Sequence, residues 1–143
     1  MQFISDFTIN LMDGQLGDYD PKRIASYYKE YDEKFPQEGE LADRMEYIFE
    51  RMVRLPPTDF SDTVFRSAQV TFSLMWLLDE MRDRQITTDQ LREVIHRTDA
   101  QVTAAQQEEL LDPRIVEGFT QGNLHRIRTR RLRHEVLENN LPL

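Results

Sequence analysis

The chain has 143 residues, of which 39% are hydrophobic and 31% are charged, a composition that suits one folded domain and excludes a disordered chain. It contains no cysteine, which excludes disulfide bonds and thiolate metal sites. Its net charge of −8 argues against non-specific nucleic-acid binding by the whole surface, because phosphate backbones attract basic proteins.

Two helices are predicted in the N-terminal part of the chain. The first is expected to end near Gly14, and its apolar residues share one face: Phe3, Ile4, Phe7 and Leu11. A loop follows, and Asp20-Pro21 predicts the next start, because aspartate accepts from free amides and proline suits the first helical position. The second helix is expected to end at Phe35-Pro36, and it carries a stripe formed by Ile24, Tyr27, Tyr28 and Tyr31.

Two longer helices are predicted in the middle of the chain. Apolar residues recur every three or four positions over residues 41–55, which predicts an amphipathic helix that Pro56-Pro57 ends. Residues 64–82 are apolar on most sides, a pattern typical of a helix at the centre of a bundle. The alternation of Val70, Phe72 and Leu74 also fits a short strand, although the length and the leucine and methionine content favour a helix.

The C-terminal part carries three further helix signals. Thr87 and Gln90 have capping-box spacing, and the apolar stripe behind them continues to about Glu109. Asp112-Pro113 predicts a short helical turn, and a basic helix is expected between the break at Gly122-Asn123 and Asn139. The chain is therefore predicted to be all-α, a single domain over residues 1–143 that forms a bundle of six or seven helices with a central apolar helix.

The sequence contains no targeting or membrane signal that we recognise. Its N-terminus lacks the basic start and unbroken apolar run of a signal peptide. The longest apolar run, residues 74–78, is far shorter than the roughly 20 residues that span a bilayer. A cytoplasmic location without membrane contact is expected.

No complete catalytic, cofactor or metal site is evident. The histidines His96, His125 and His134 lack metal-ligand spacing, and we expect them to lie at the surface or half-buried. The serines lie in no glycine-flanked elbow, and the scattered glycines form no phosphate loop. Asp79 follows an apolar run, so it is either a candidate acid–base group or, as we favour, a partner of Arg82 or Arg66. We expect no enzyme activity, cofactor or metal from this chain.

The tyrosines allow two interpretations. Tyr19, Tyr27, Tyr28 and Tyr31 could line a ligand groove. Tyrosines at helical spacing more often pack their rings in the core and leave their hydroxyls in water, and this second interpretation is favoured.

The arginine-rich C-terminal segment is the main candidate contact surface. Five arginines and no acids lie between Gly122 and His134, whereas the rest of the chain has 13 basic and 26 acidic residues. A helical wheel places Arg126, Arg130 and Arg133 on one face, which we expect to point outward. Such a face can contact phosphates through the guanidinium fork. Pairing with the acids of this chain or of a partner domain is the favoured alternative.

In order and spacing, five segments together resemble the helical region of a bacterial family typified by the GmrSD-type modification-dependent restriction systems. The similar segments are 3–12, 24–32 (Ile-Ala-Ser-Tyr-Tyr-Lys-Glu-Tyr-Asp), 41–55, 65–78 and 124–137. Members of this family join a ParB/sulfiredoxin-like nucleotide-hydrolysing module to helical domains, often followed by an HNH nuclease. The resemblance implies that this chain corresponds to the helical, non-catalytic part of such a protein.

The sequence departs from the family at its catalytic motif. The family's module carries an Asp-Gly-Gln-Gln-Arg signature, whereas here Asp13-Gly14-Gln15 continues with Leu16-Gly17 and lies in a loop between helices. No HNH residues are present either, so no catalytic residue can be carried over.

Three functional hypotheses follow. The leading one is an accessory domain of a restriction- or defence-type protein, which packs on a catalytic module and contacts nucleic acid through Arg126, Arg130 and Arg133. The alternative is a free-standing adaptor that binds another protein through an exposed apolar patch built from the tyrosine stripe. The third, a small enzyme, requires a closed pocket that contains Asp79 or a histidine with a shifted pKa. The sequence does not indicate an oligomeric state.

Overall fold

The computed structural model describes residues 2–31, 35–108 and 112–142. Within these ranges the chain is all-α, as predicted, and contains no strand. Eight α-helices are present there, rather than six or seven, because the short helix α4 was not expected, whereas the helical turn predicted at Asp112-Pro113 forms α7. The helices are α1 (Phe3–Asp13), α2 (Pro21–Glu30), α3 (Glu38–Val53), α4 (Thr58–Ser61), α5 (Ala68–Glu80), α6 (Thr88–Gln106), α7 (Pro113–Ile115) and α8 (Ile127–Asn139). No helix in the described ranges is long and apolar enough to cross a membrane.

The predicted helix boundaries agree with the capping chemistry. Gly14 ends α1 in the left-handed region with a φ of 72°, which glycine adopts without strain. Asp20 begins α2 by accepting hydrogen bonds from the backbone amides of Lys22 and Arg23. Thr87 begins α6 with a complete capping box. Two helices end earlier than predicted: α2 ends at Glu30, before Phe35-Pro36, and α6 ends at Gln106, before Glu109. Residues 32–34 and 109–111 lie outside the described ranges.

The predicted single helix over residues 64–82 is divided in the structure. Val64–Arg66 forms a 3₁₀ turn, Ser67 is extended with a ψ of 128°, and α5 begins only afterwards. The separation has a local cause: the side chain of Thr63 accepts from the amide of Phe65, while the side chain of Asp99 accepts from the amide of Val64. Val70, Phe72 and Leu74 lie within α5, so the strand alternative is wrong.

Helix α8 begins later than predicted. Arg126 is extended with a ψ of 148°, and the helix starts at Ile127. The preceding segment is attached to the loop between α1 and α2, because Asp18 accepts from the Ile127 amide at 2.6 Å and the Tyr19 amide donates to the His125 carbonyl at 3.1 Å. These bonds fix the N-terminus of α8 against the beginning of the chain.

Helix α5 contributes strongly to the hydrophobic core. Nine of its 13 residues are buried, and the seven apolar ones form one cluster with residues from α1, α3, α6 and α8. Helices α5 and α8 pack side by side and run in the same direction, because Arg130 contacts Gln69 near the start of α5 and His134 contacts Glu80 at its end. The C-terminal ends of both helices therefore lie at the same side of the molecule.

Candidate functional site

The predicted arginine face is buried instead of exposed. The side chains of Arg130 and Arg133 have no solvent exposure, and only Arg126 of the predicted triplet is exposed. The expectation that the three arginines form an outward face is therefore wrong. In this conformation the two buried guanidinium groups cannot reach a phosphate. The exposed positions of the helix include Arg128 and Arg131 instead.

Arg130 lies in a polar network at the interface of α1, α5 and α8. Its Nη2 donates to Oδ2 of Asp6 at 2.5 Å, and its Nη1 donates to the carbonyl of Gly17 at 2.7 Å. The guanidinium carbon lies 3.9 Å from the centre of the Phe72 ring, which is a cation–π distance. The Asp6 carboxylate is 2% exposed, so its negative charge is compensated mainly by this arginine. Pairing with the chain's own acid, the alternative interpretation, is confirmed for Arg130.

Arg133 is buried without a carboxylate partner among the described residues. It donates to Oγ of Ser73 at 2.9 Å, to the carbonyl of Gly118 at 3.0 Å and to the carbonyl of Leu124 at 2.5 Å. Burial, and to a smaller extent the positive charge of Arg130, lowers the pKa of the Arg133 guanidinium to about 9. The three acceptors that Arg133 contacts are all uncharged. Through them its side chain holds the π turn Val116–Thr120 and the loop before α8 against α5.

A pattern in the sequence does indicate this burial in retrospect. Val136 and Leu137 are buried apolar residues of α8. Arg133 lies three residues before Val136 and four before Leu137, and Arg130 lies seven residues before Leu137, so all four share one helical face. The apolar end of the helix therefore places both arginines on the inward face, whereas charge alone suggested the outward one.

Asp79 has a structural role in this conformation. It is 4% exposed and accepts two hydrogen bonds from Arg44, at 2.9 and 2.6 Å. Its Oδ1 also lies 3.1 Å from Nη1 of Arg82, so the predicted pairing with Arg82 is confirmed. The hydrogen bond to Asp79 raises the pKa of Arg44, which keeps that guanidinium charged. Both oxygens of Asp79 face arginine guanidinium groups, which gives this carboxylate a structural role between α3 and α5.

The histidines lie at exposed or half-buried positions, as predicted. His96 contacts Oδ1 of Asp59 at 3.0 Å, and Arg92 holds the other oxygen of the same carboxylate at 2.8 Å. His125 packs edge-on against Tyr19, with ring centres 6.1 Å apart. The groove between α1 and α2 and the polar cleft between residues 62–67 and α6 include neither Asp79 nor a histidine in their lining.

His134 has a different environment, which sequence spacing did not reveal. Its Nε2 lies 2.8 Å from Oε2 of Glu80 and 3.1 Å from Oε1 of Glu138. The spacing of four between His134 and Glu138 is the available sequence signal, but the third residue, Glu80, comes from the distant end of α5. Only the packing of α5 beside α8 brings the three groups together.

The tyrosine stripe of α2 is largely uncovered. Ile24 is the only buried residue among the ten residues of α2. Tyr27 and Tyr31 are half-buried, and Tyr28 is 63% exposed. The favoured interpretation, that the tyrosine rings pack in the core, is therefore wrong. Helix α2 contacts the rest of the described molecule mainly through α1. One side of its aromatic face is therefore not covered by another helix in the described ranges.

Helices α1 and α2 enclose an apolar groove of about 380 Å³. Its lining includes Ile4, which is 50% exposed, on α1 and Phe35 after α2. The rings stack in sequence along the wall, with centres 5.7 Å apart for Tyr27–Tyr31 and 5.4 Å apart for Tyr31–Phe35. The groove is lined by Ile4, Ser5, Thr8, Ile9, Met12, Ile24, Tyr27, Tyr28, Tyr31 and Phe35.

Two tyrosine hydroxyls in this groove already have partners. Tyr27 donates to Oδ1 of Asp13 at 2.5 Å, and Arg23 forms an ion pair with the same carboxylate. The Tyr28 hydroxyl is hydrogen-bonded to the hydroxyl of Ser5. These bonds fix the rings in place and leave an apolar lining, which favours apolar side chains over a charged ligand.

No family model, curated protein or solved structure matches this chain. Its function is therefore argued from the groove and from the side-chain clusters described above.

Proposed function

We propose that the chain is a non-catalytic helical interaction domain that binds the apolar face of a partner protein's helix in the groove between α1 and α2. The observation that carries this proposal is the uncovered aromatic face of α2, whose only buried residue is Ile24. Exposed aromatic and apolar side chains gathered in a groove are typical of protein-binding surfaces. In this proposal the bundle around α5 is its central scaffold.

The dimensions of the groove suit a helix as occupant. Ile4, Thr8 and Met12 line it at intervals of four residues, and eight residues of helix rise about 12 Å. A partner helix that inserts side chains at positions i, i+3 or i+4 and i+7 needs about 10.5 Å. The groove therefore accommodates two turns of an amphipathic helix. A flat globular surface fits less well. A stable interface between two such surfaces buries about 800 Å² on each partner, which is larger than a groove of two helical turns.

The chemistry of the lining favours the same occupant. The hydroxyls of Tyr27 and Tyr28 already form hydrogen bonds with Asp13 and Ser5, so they do not need a polar ligand as a partner. The lining is mostly apolar, whereas a small polar metabolite would need several convergent donors and acceptors. Binding is expected to depend on shape and apolar burial.

The resemblance to restriction-type proteins supplies a candidate for the partner. Under that hypothesis the occupant belongs to a catalytic module, and the chain is its accessory domain. The support for this is the order of helical segments in the sequence. It no longer includes the arginine triplet, since Arg130 and Arg133 bind groups of their own chain.

A site-specific photocrosslinker tests the proposal. The crosslinker is placed at Tyr28 in the groove or at Arg97 on α6, an exposed position whose side chain is 51% accessible. We expect one discrete heterologous adduct from Tyr28 and none from Arg97. Substitution of Ile4 by aspartate should abolish the adduct while the far-UV circular dichroism stays unchanged.

The identity of the adduct separates the alternatives. A peptide from a nuclease or nucleotide-hydrolase module supports the accessory-domain hypothesis, whereas another protein supports the free-standing adaptor. An adduct to a second copy of the chain, or equal adducts from Tyr28 and Arg97, would contradict the proposed groove interaction.

A further inference from the structure

Glu80, His134 and Glu138 bring three potential metal ligands together at the C-terminal ends of α5 and α8. One ligand atom from each residue lies within 4.8 Å of the other two. The two carboxylate side chains are 40% and 46% exposed, while the imidazole is 13% exposed. An ion could therefore enter from solvent and reach a histidine that is held in a fixed position.

The cluster is short of hydrogen-bond donors. Both carboxylates face Nε2 of His134, at 2.8 and 3.1 Å, yet this nitrogen carries at most one hydrogen. Nδ1 of the same ring is buried and has no hydrogen-bond partner in the described part of the chain. One nitrogen is thus shared by two oxygens, and a single proton cannot satisfy both with good geometry.

The cluster is also short of positive charge. Glu80 and Glu138 lie in the last turns of α5 and α8, where the helix dipole disfavours carboxylates, and neither last turn contains a basic residue. The nearby Arg82 is engaged by Asp79. A cation would relieve this repulsion.

We propose that Glu80, His134 and Glu138 bind a divalent transition-metal ion through Nε2 and one oxygen of each carboxylate. Ligands at bond lengths of about 2.0–2.2 Å in a tetrahedral site lie roughly 3.3 Å apart. The observed separations from Nε2 of 2.8 and 3.1 Å need to change by only a few tenths of an ångström. An imidazole with two carboxylates favours Zn²⁺ over Mg²⁺ or Ca²⁺, which prefer all-oxygen sites.

The proposed ion would connect α5 to α8 and leave a fourth coordination position for water or a partner's side chain. The site shares no residue with the groove between α1 and α2. The proposal of a metal site can therefore be tested independently of the proposed partner interaction.

Titration calorimetry of the purified full chain with Zn²⁺ tests this inference. We expect one ion per chain and a binding constant that falls by roughly tenfold or more in each of Glu80→Gln, Glu138→Gln and His134→Asn. Two of these substitutions change partly exposed carboxylates, so the chain should still fold, which circular dichroism checks. Co²⁺ should give the visible absorption of a tetrahedral site in the wild-type chain alone.

His96→Asn is the matched control, because His96 also contacts a carboxylate but shares Asp59 with Arg92. This variant should bind Zn²⁺ like the wild type. An excess of Ca²⁺ should not displace the ion, whereas displacement would indicate adsorption to surface acids. The inference is overturned by a lack of stoichiometric binding, by displacement with Ca²⁺, or by unchanged affinity in His134→Asn.

Discussion

Asp6 and Arg130 form a buried ion pair between α1 and α8, although 124 positions separate them in the chain. The two side chains are 2% and 0% exposed, and the arginine also donates to the Gly17 carbonyl. The pair therefore connects the first helix, the loop behind it and the last helix at one point.

Loss of one member of this pair should strongly destabilise the fold. Asp6→Asn leaves the guanidinium of Arg130 buried without a counter-charge, and breaking a buried pair in this way costs about 3–5 kcal/mol. Urea denaturation of the variant measures the loss. Glu50→Gln is the control, because its pair with Arg54 is exposed and should contribute less than about 1 kcal/mol. Equal losses from the two substitutions would contradict a special role for the buried pair.

Arg133 should give the chain an unusual response to alkaline pH. Its pKa in the folded chain is about 9, well below the ordinary value of an arginine, so at pH values between the two the unfolded chain binds more protons. The contribution of Arg133 to the free energy of unfolding should therefore rise as the pH increases above about 9. The measurement is the difference in unfolding free energy between the wild type and Arg133→Gln, because other titrating groups cancel in it. A difference that stays flat or falls over this range would contradict the prediction.

Helix α2 should tolerate the truncation of a side chain on its exposed face but not on its buried face. Ile24→Ala removes a side chain that is 2% exposed and should cost about 2–5 kcal/mol. Tyr28→Ala changes a ring that is 63% exposed and should change the stability by less than about 1 kcal/mol. Thermal or urea unfolding compares the two variants. A large loss in Tyr28→Ala would mean that the ring supports the fold and is not reserved for a partner.

Trp76→Ala should cost about 3–5 kcal/mol, because the indole is buried and packs edge-on against Phe7 with ring centres 6.4 Å apart. Denaturant titration followed by circular dichroism measures the change, since the variant loses the only tryptophan. A loss below about 1 kcal/mol would mean that α5 contributes less to the core than its burial indicates.

The predicted arginine triplet should contribute little to the salt dependence of any DNA binding. Arg126 is its single exposed member, and each neutralised phosphate adds about 0.9 to the slope of log affinity against log salt. In a titration of fluorescent DNA across a salt series, Arg126→Ala should therefore change this slope by about one or less. A steep slope that survives this substitution would point to a different basic surface.

Local signals in the sequence predicted the helices well. Gly14, Asp20 and Thr87 mark boundaries that depend on hydrogen bonds between near neighbours, and these need no tertiary information. The division at Ser67 was missed because one of the bonds that stabilise it comes from Asp99 on α6. The late start of α8 has the same origin, since Asp18 holds the Ile127 amide from the opposite end of the chain.

The candidate sites were less predictable, because they depend on which face of each helix meets the core. The helical wheel correctly grouped Arg130 with Arg133 but assigned both to solvent. Burial of a cation is favourable only beside partners such as Asp6 and Ser73, and these partners come from other helices, which the wheel does not include. The exposure of Tyr28 could not be inferred from α2 alone, because it reflects the absence of a neighbouring helix on that side in the described structure. Glu80 and His134 are 54 positions apart, and no local pattern joins them.

The connection of α1 and its following loop to α8 has a consequence for synthesis. Asp6, Asp18 and Tyr19 leave the ribosome early, whereas their partners near His125, Ile127 and Arg130 are made more than a hundred residues later. Until then the carboxylate of Asp6 lacks the cation that makes its burial favourable, so the final docking of α1 should follow the synthesis of α8. Contacts of such long sequence separation slow folding.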